Sequence, residues 1–376
     1  MNKSPCRSKK KAVSGMPRPQ TVEPAIARLI ARTLTLPAFR APPQNAPVRL
    51  HLNEPSFAPS PRVLAALANA ASDWCRYPDG AAARLREALA MHLDVDAARI
   101  VIGAGSDELI GLIAQAFLST GERCVVPRPS FPRYRTCALS QGAIVTEVAL
   151  DGAGAPDVAA MIEAAQGAQL VYVASPNNPT GAMLDVALLA RLVEGIPACA
   201  LLVLDEAYFE FARAAGGPDG LRALQARRGP WVLLRTFSKA YGLAGLRVGY
   251  GVCSDPALAE ALNRVRGMFN VGVPAQAAAL AALADEAYAR EQIERTVERR
   301  ERLRADLATL GIDCLPSAAN FLAARMAGAA AGVMAALAGE GVLVSAVGPA
   351  PFERHIRITI GTADDHACLL DALAKL

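Results

Sequence analysis

Histidine is scarce in this chain: four occur in 376 residues, and His51, His92, His355 and His366 stand apart from one another. The eight cysteines form no Cys-x-x-Cys pair. The ligand spacing of a zinc or similar metal site is therefore missing. Long apolar runs are missing too. The longest uncharged stretch toward the C-terminal end, Met326 to Gly339, has 14 residues, short of the roughly 20 that a membrane-spanning helix requires. Acidic residues do not occur in the first twenty positions, where Lys3, Arg7, Lys9, Lys10, Lys11 and Arg18 supply six positive charges against a whole-chain net charge of +4. The remainder thus carries −2, which argues against a broad basic surface for nucleic acid. Residues 1–20 also lack the apolar stretch of a secretion signal and read as a solvated, disordered extension.

Apolar residues are plentiful, at 53% against 20% charged. This composition excludes a disordered or fibrous chain, and the length allows two or three domains. Cys124, Cys199 and Cys253 lie in apolar runs and read as small buried hydrophobes; a reducing cytoplasm fits that usage. The segment Pro37–Pro47 reads as a loop or arm. No internal repeat is evident.

Between about residues 98 and 251, short apolar runs alternate with helical patterns. The spacing predicts strands at Ile100–Ile102, Cys124–Val126, Ile144–Val148, Leu170–Ala174, Leu201–Asp205, Val232–Thr236 and Val248–Val252. Helical spacing recurs at Leu109–Leu118 and Val186–Leu192. Uninterrupted apolar strands alternating with helices predict an α/β domain built on a mostly parallel sheet. Ligands of such sheets bind beyond the carboxyl ends of the strands. From Asp285 to Leu310, acids and arginines (Arg300 among them) surround Ile293, Val297 and Leu303, which predicts a long helix with an ion-paired, solvated face. Asn320–Arg325, Gly341–Val347 and His355–Gly361 then read as strands of a smaller C-terminal α+β unit.

Polar residues with chemical potential fall at the ends of these strands. Val101-Ile-Gly-Ala-Gly-Ser-Asp-Glu108 is a strand, a glycine turn and a helix start. Glu108 replaces the third glycine of a dinucleotide fingerprint. What remains is a helix N-terminus with a hydroxyl at Ser106, able to hold a phosphate but equally explained by a tight turn with a serine cap. Ser175-Pro-Asn-Asn-Pro-Thr-Gly181 is an abrupt loop that leaves Asn178 at a strand end. An uncharged strand terminates in Asp205, a costly place for a carboxylate without a cationic partner. Lys239 follows another strand amid Phe237, Ala240, Leu243 and Ala244, surroundings that lower an amine's pKa and make it nucleophilic. A phosphate cradle, an acid and a lysine suit pyridoxal phosphate, which needs a lysine for its Schiff base, an acid for its ring nitrogen and an anchor for its phosphate.

In order and spacing these motifs resemble the fold-type-I pyridoxal-phosphate aminotransferases, and within them the histidinol-phosphate aminotransferases. The residues carrying the resemblance are Asn53-Glu54, Arg76-Tyr-Pro-Asp79, Gly105-Ser-Asp-Glu108, Ser175–Gly181, Asp205-Glu-Ala-Tyr208, Ser238–Arg247 and Arg357-Ile-Thr-Ile-Gly361. The resemblance implies a seven-stranded, mostly parallel sheet flanked by helices, with a smaller α+β domain. It implies a basic tail at 1–20, an N-terminal arm at 21–59, a large cofactor domain at 60–275 and a small domain at 276–376 packing with the arm. It implies that Lys239 carries the cofactor and then moves the proton, and that Asp205 faces the ring nitrogen. Tyr208 and Asn178 would meet the ring's 3-oxygen, and Phe131 would stack on the ring. Ser106 and Asp107 (largely through backbone amides), Thr236, Ser238 and Arg247 would hold the phosphate. Tyr77 would reach that phosphate from a second subunit, so a homodimer with shared sites is implied. Arg357 would bind the substrate's anionic end, with Asn53 and Asn320 bordering it and Arg133 and Arg354 as further anion-binding candidates. The substrates would be a small-molecule amino donor and a 2-oxo acceptor.

Three positions depart from the family pattern. Asn53-Glu-Pro-Ser-Phe-Ala58 stands where Asn-Glu-Asn-Pro-Leu-Gly is usual, Phe39 where an arm tyrosine is usual, and Phe131 where tyrosine is frequent. These leave the cofactor chemistry intact but keep the substrate open among histidinol phosphate, threonine phosphate (by decarboxylation) and aromatic amino acids. A non-catalytic ligand sensor and a nicotinamide oxidoreductase are the rivals of other classes. The first would need a DNA-binding domain for which the residues before Asn53 are too few, and the second would leave Asp205 and Lys239 unexplained.

Overall fold

The computed structural model describes residues 45–376 together with Thr33, Leu36 and Pro37. The basic segment 1–20, most of the arm including Phe39, and all but the ends of Pro37–Pro47 lie outside the described residues. The strands in chain order are β1 (Val48–Arg49), β2 (Ile100–Gly103), β3 (Arg123–Arg128), β4 (Ile144–Ala149), β5 (Leu170–Ala174), β6 (Leu201–Asp205), β7 (Trp231–Thr236), β8 (Gly249–Cys253), β9 (Phe321–Arg325), β10 (Val342–Leu343), β11 (Ser345–Ala346) and β12 (His355–Thr359).

Seven of them form the central sheet, in the order β2-β8-β7-β6-β5-β3-β4. β8 runs against both of its neighbours, and the pairs from β7 through β4 are parallel. The apolar runs are explained by burial on both faces. In β5, Val171 and Val173 enter one core cluster, whereas Leu170, Tyr172 and Ala174 enter the cluster on the opposite face. Successive side chains of a strand point to opposite sides, so every residue of such a strand must be apolar. Truncating one of these leucines to alanine would cost about 2–5 kcal/mol.

A three-stranded antiparallel sheet, β11-β12-β9, stands on its own core of Leu303, Leu307, Leu322, Ile356 and Ile358, among others. β1 pairs with β10, tying the residues before the central sheet to this C-terminal part. A small cluster of Tyr208, Phe211, Ala240, Ala319 and Phe321 sets β9 against the loops that follow β6 and β7. The ends of two sheets are thereby brought around one space.

Three sequence expectations need correction here. The stretch Gly341–Val347 is two short strands on different sheets, because Val342–Leu343 pairs with β1 and Ser345–Ala346 pairs with β12. Cys199 is exposed, whereas Cys124 and Cys253 are buried; it lies in the Pro197–Ala200 turn before β6, where an apolar run in sequence is not a buried run in space. Arg300 is buried instead of solvated. The helix Glu286–Thr309 buries Ala289, Gln292, Thr296, Arg300, Leu303 and Leu307 as one stripe, and Arg300 Nη1 donates to the Ala319 carbonyl at 3.0 Å. No helix among the described residues is long and apolar enough to cross a membrane.

Candidate active site

Beyond the carboxyl ends of β5, β6 and β7 lies a cavity of about 250 Å³. Each strand delivers its polar residues as it leaves the sheet. β6 ends in Asp205, which is buried. Its Oδ2 accepts from the Tyr134 hydroxyl at 2.6 Å and its Oδ1 from the Ala207 amide at 3.0 Å. Burial pushes this carboxyl up to about 6, against the pull of those two hydrogen bonds. Tyr134 is itself fixed by stacking on Tyr172, with ring centroids 4.9 Å apart.

β7 ends in Thr236 and leads to Ser238 and Lys239. Burial, helped by the charges of Arg357 and Arg247 and opposed by Glu54, pushes the Lys239 amine down to about 7. Its Nζ donates to the Asn53 carbonyl at 2.7 Å. Such an amine is available as a nucleophile or base near neutral pH.

β2 leads through Gly103-Ala-Gly105 into the helix Ser106–Phe117, whose N-terminus has no side-chain cap. Donors of a helix's first turn lack intrahelical partners and attract anions. Gly105 has φ +80°, and a Cβ there would stand 2.7 Å from Arg247 Nη2; both the conformation and the close approach call for glycine. Arg247 Nη1 reaches the Ser238 hydroxyl at 3.5 Å, and the Thr236 hydroxyl lies 3.0 Å from that of Ser238. Amides, hydroxyls and a guanidinium thus converge on one end of the cavity, as a phosphate monoester requires.

The opposite wall comes from β12 and the segment around Asn53. Arg357 Nη1 donates to Asn178 Oδ1 at 2.7 Å, and Nη2 donates to the His51 carbonyl. Its Nε is buried and has no partner among the described residues. Asn53 Nδ2 donates to the Tyr208 hydroxyl at 2.9 Å, and burial pushes that phenol up to about 12. The loop after β5 is held by Asn177, which is fully buried and donates to the Pro129 carbonyl and the Thr180 hydroxyl. Of the two adjacent amides, Asn177 builds the loop and Asn178 faces the cavity.

A profile of the family described as aminotransferase class I and II matches residues 46–373. Histidinol-phosphate aminotransferase 2 of Carboxydothermus hydrogenoformans is 41% identical over 327 residues, spanning 86% of this chain and 90% of its own. Histidinol-phosphate aminotransferase of Roseobacter denitrificans is 41% identical over 335 residues, spanning 88% of this chain and 92% of its own. The crystal structure of histidinol-phosphate aminotransferase from Sinorhizobium meliloti in complex with pyridoxal-5'-phosphate superposes with a TM-score of 0.85 at 31% identity, over 96% of this chain and 98% of that one. The chain belongs to the class I and II aminotransferases.

Most of the residues singled out in the sequence line this aminotransferase's cavity: Asn53, Ser106, Asp107, Phe131, Asn178, Asp205, Tyr208, Thr236, Ser238, Lys239, Arg247 and Arg357. Tyr77 does not. It is 82% exposed and stacks on Phe269 with centroids 4.7 Å apart. Asn320 stands behind the wall, donating from Nδ2 to the Asn53 carbonyl at 3.2 Å. The Asp107 carboxylate is paired with Arg133 at 2.8 Å, which leaves its backbone amide for the cavity and keeps Arg133 off the lining. Arg354 is also elsewhere, donating to the carbonyls of Met326 and Ala327.

Sequence reasoning missed Tyr134. It lies three residues after Phe131 in Pro129-Ser-Phe-Pro-Arg-Tyr134. The available signal was an aromatic spaced one helical turn from another at the mouth of a strand. Also missed was the buried pair in which Arg235 Nε and Nη2 donate to Glu206 Oε2 at 3.0 and 2.8 Å.

Proposed function

We propose that this aminotransferase uses pyridoxal 5'-phosphate to interconvert imidazole-acetol phosphate plus L-glutamate with L-histidinol phosphate plus 2-oxoglutarate, in histidine biosynthesis. The observation carrying this reading is the Lys239 amine, poised near neutrality in a cavity that also contains the buried Asp205 carboxylate and the arginines Arg247 and Arg357. The cavity residues fit the cofactor, since a nucleophilic amine, a buried acid, an anion cradle and the Phe131 ring are the complement that it needs.

When bound, pyridoxal phosphate supplies an electron sink for the pair left behind as the substrate's Cα proton departs. The remaining work falls to the protein. Ser106 and Asp107, through backbone amides, with Thr236, Ser238 and Arg247, would hold the phosphate. Asp205, steadied by Tyr134, would keep a proton on the ring nitrogen. Asn178 and Tyr208 would serve the ring's 3-oxygen, and Phe131 would supply an apolar face for the ring. Lys239 Nζ would take the proton from the amino donor's Cα and, in the return half-reaction, give one to the Cα of the 2-oxo acceptor; a base whose pKa sits near the working pH is the efficient choice. Arg357 would bind the substrate's anionic end, and its planar fork suits carboxylate and phosphate alike. Asn53 borders that end, and Asn320 backs it by donating to the Asn53 carbonyl.

The same reading makes the protein a cytoplasmic homodimer, with Tyr77 reaching the phosphate of the second subunit. Support for the dimer is the exposed Tyr77–Phe269 stack, with Trp74 and Met268 also exposed nearby in the chain; exposed apolar surface of this kind marks interaction sites. The proposed division is an arm at 21–59, a large domain at 60–275 and a small domain at 276–376; the separate core around Leu322 supports a small C-terminal unit, while the helix Val273–Leu283 packs into the central-sheet core on both sides of the 275/276 boundary.

Borohydride reduction of the cofactor-loaded protein should fix the cofactor on Lys239, seen by peptide mass, and Lys239→Ala should abolish amino transfer. Stopped-flow half-reactions should favour histidinol phosphate over phenylalanine and tyrosine. Labelling elsewhere would reject the cofactor assignment. Indifference to the phosphorylated amine, or carbon dioxide release from threonine phosphate, would reject the substrate.

A further inference from the structure

The Lys239 amine rests on a carbonyl whose orientation is set from another strand. Asn53, which supplies that carbonyl, has φ 54°, a left-handed conformation uncommon outside glycine and tolerated best by asparagine and aspartate. One side chain grips it twice. The Thr359 hydroxyl accepts from the Asn53 backbone amide at 2.9 Å and donates to Asn53 Oδ1 at 3.2 Å. Thr359 is buried and closes β12 two residues after Arg357, on the same face of the strand. Asn320 Nδ2 supports the same carbonyl from behind at 3.2 Å, and Asn53 Nδ2 reaches Tyr208 at 2.9 Å.

We propose that Thr359 is a positioning residue for amino transfer: its hydroxyl locks Asn53 in the left-handed conformation, so that the Asn53 carbonyl receives the Lys239 amine whenever that amine is free. A free amine must be parked within reach of the reacting carbon and must not wander among conformers, since misplacement of about 1 Å costs up to a hundredfold in rate. The lock also aims Asn53 Nδ2 at Tyr208, so one hydroxyl on β12 aligns groups that follow β6 and β7. Arg357 and Thr359 then make β12 a strand with two duties, one toward the substrate and one toward the lysine. This inference rests on the assignment of Lys239 as the residue that binds the cofactor and moves the proton.

The test compares Thr359→Val, which keeps the shape and loses both hydrogen bonds, with Thr359→Ser, which keeps the hydroxyl. Two readouts are followed: steady-state kcat and KM of the holoenzyme, and the rate at which apoprotein condenses with added pyridoxal phosphate, followed by absorbance. Thr359→Val should lose about tenfold or more in kcat, with KM for the amino donor within about twofold. Its condensation should slow by a similar factor, while Thr359→Ser stays within about threefold of wild type in both. If Thr359→Val does not fold, Thr359→Ala, which removes the hydroxyl without adding a methyl, is read in its place. The proposal is overturned if the hydroxyl-free variant matches wild type in both readouts, if its loss appears in KM alone, or if Thr359→Ser falls equally far. Failure of the underlying assignment would appear instead in the wild-type arm, as absence of condensation at Lys239.

Discussion

The hydroxyl of Tyr134 donates to Asp205 inside a site where the carboxyl is already pushed up to about 6 by burial. Removing the donor in Tyr134→Phe takes away a bond that favours the charged carboxylate, so the Asp205 pKa rises further. The proposed partner of Asp205 is a protonated ring nitrogen, for which the carboxylate must be ionised. Tyr134→Phe should therefore weaken cofactor binding about tenfold to a hundredfold, the worth of one hydrogen bond to a charged group. The loss should grow as pH falls below 7, and equilibrium dialysis against pyridoxal phosphate between pH 6 and 8 measures both effects. A uniform loss across that range would mean that the Tyr134 hydroxyl does not act through the titration of Asp205. Asp205 and Lys239 were legible in the sequence because a polar residue at the end of an apolar strand stands out against its neighbours. Tyr134 was not, because its partner is 71 residues away and an aromatic beside apolar residues signals nothing polar.

The inner strands β5 and β6 were legible for the same reason that they are stable: both faces are buried, so they read as apolar runs with the observed boundaries. The helices Pro61–Asn69, Ala83–Leu93, Pro256–Val265 and Val273–Leu283 were not read from the sequence. The alanine-rich Val273–Leu283 carries apolar residues on every side and has no contrast to detect. What joins the elements was also hidden. Arg235 on β7 and Glu206 just after β6 are both buried; Arg235 donates twice to Glu206 Oε2 and once to Asp219 Oδ1 at 3.1 Å, and Glu206 Oε1 accepts from the Gly220 amide at 2.9 Å. Arg235 is charged inside an otherwise apolar strand, which in isolation reads as a flaw in the pattern. Arg235→Met would leave a buried carboxylate unpaired and should destabilise the fold by about 3–5 kcal/mol. Adding Glu206→Gln should return part of that loss, because the two changes act on one interaction. Urea unfolding of the single and double variants decides the matter, and strictly additive losses would show that the pair is not coupled.

At the scale of the whole molecule, Tyr77 presents the sharpest question. The motif Arg76-Tyr-Pro-Asp79 is locally well made, with Asp79 accepting from the Ala81 and Ala83 amides at 2.9 and 2.7 Å. It presents a tyrosine to solvent that stacks on Phe269. A structural motif so defined, ending in an exposed aromatic, is uneconomical unless something covers it. In the proposed dimer, each Tyr77 completes the partner's cavity, and two-fold symmetry makes the exchange reciprocal. Lys239→Ala and Tyr77→Ala protomers should then each be inactive, or nearly so, as pure preparations. Mixed in equal amounts and allowed to re-equilibrate, they should form about half hybrids. In a hybrid, one site collects both lesions and the other collects neither, so activity should recover to about a quarter of wild type by the same symmetry count. If Tyr77 served its own subunit, every site of the hybrid would carry one lesion and the mixture would stay inactive. Recovery in proportion to hybrid content, measured by ion-exchange separation of differently charged protomers, would thus assign the tyrosine across the interface. Its absence, with hybrids present, would confine each site to a single chain.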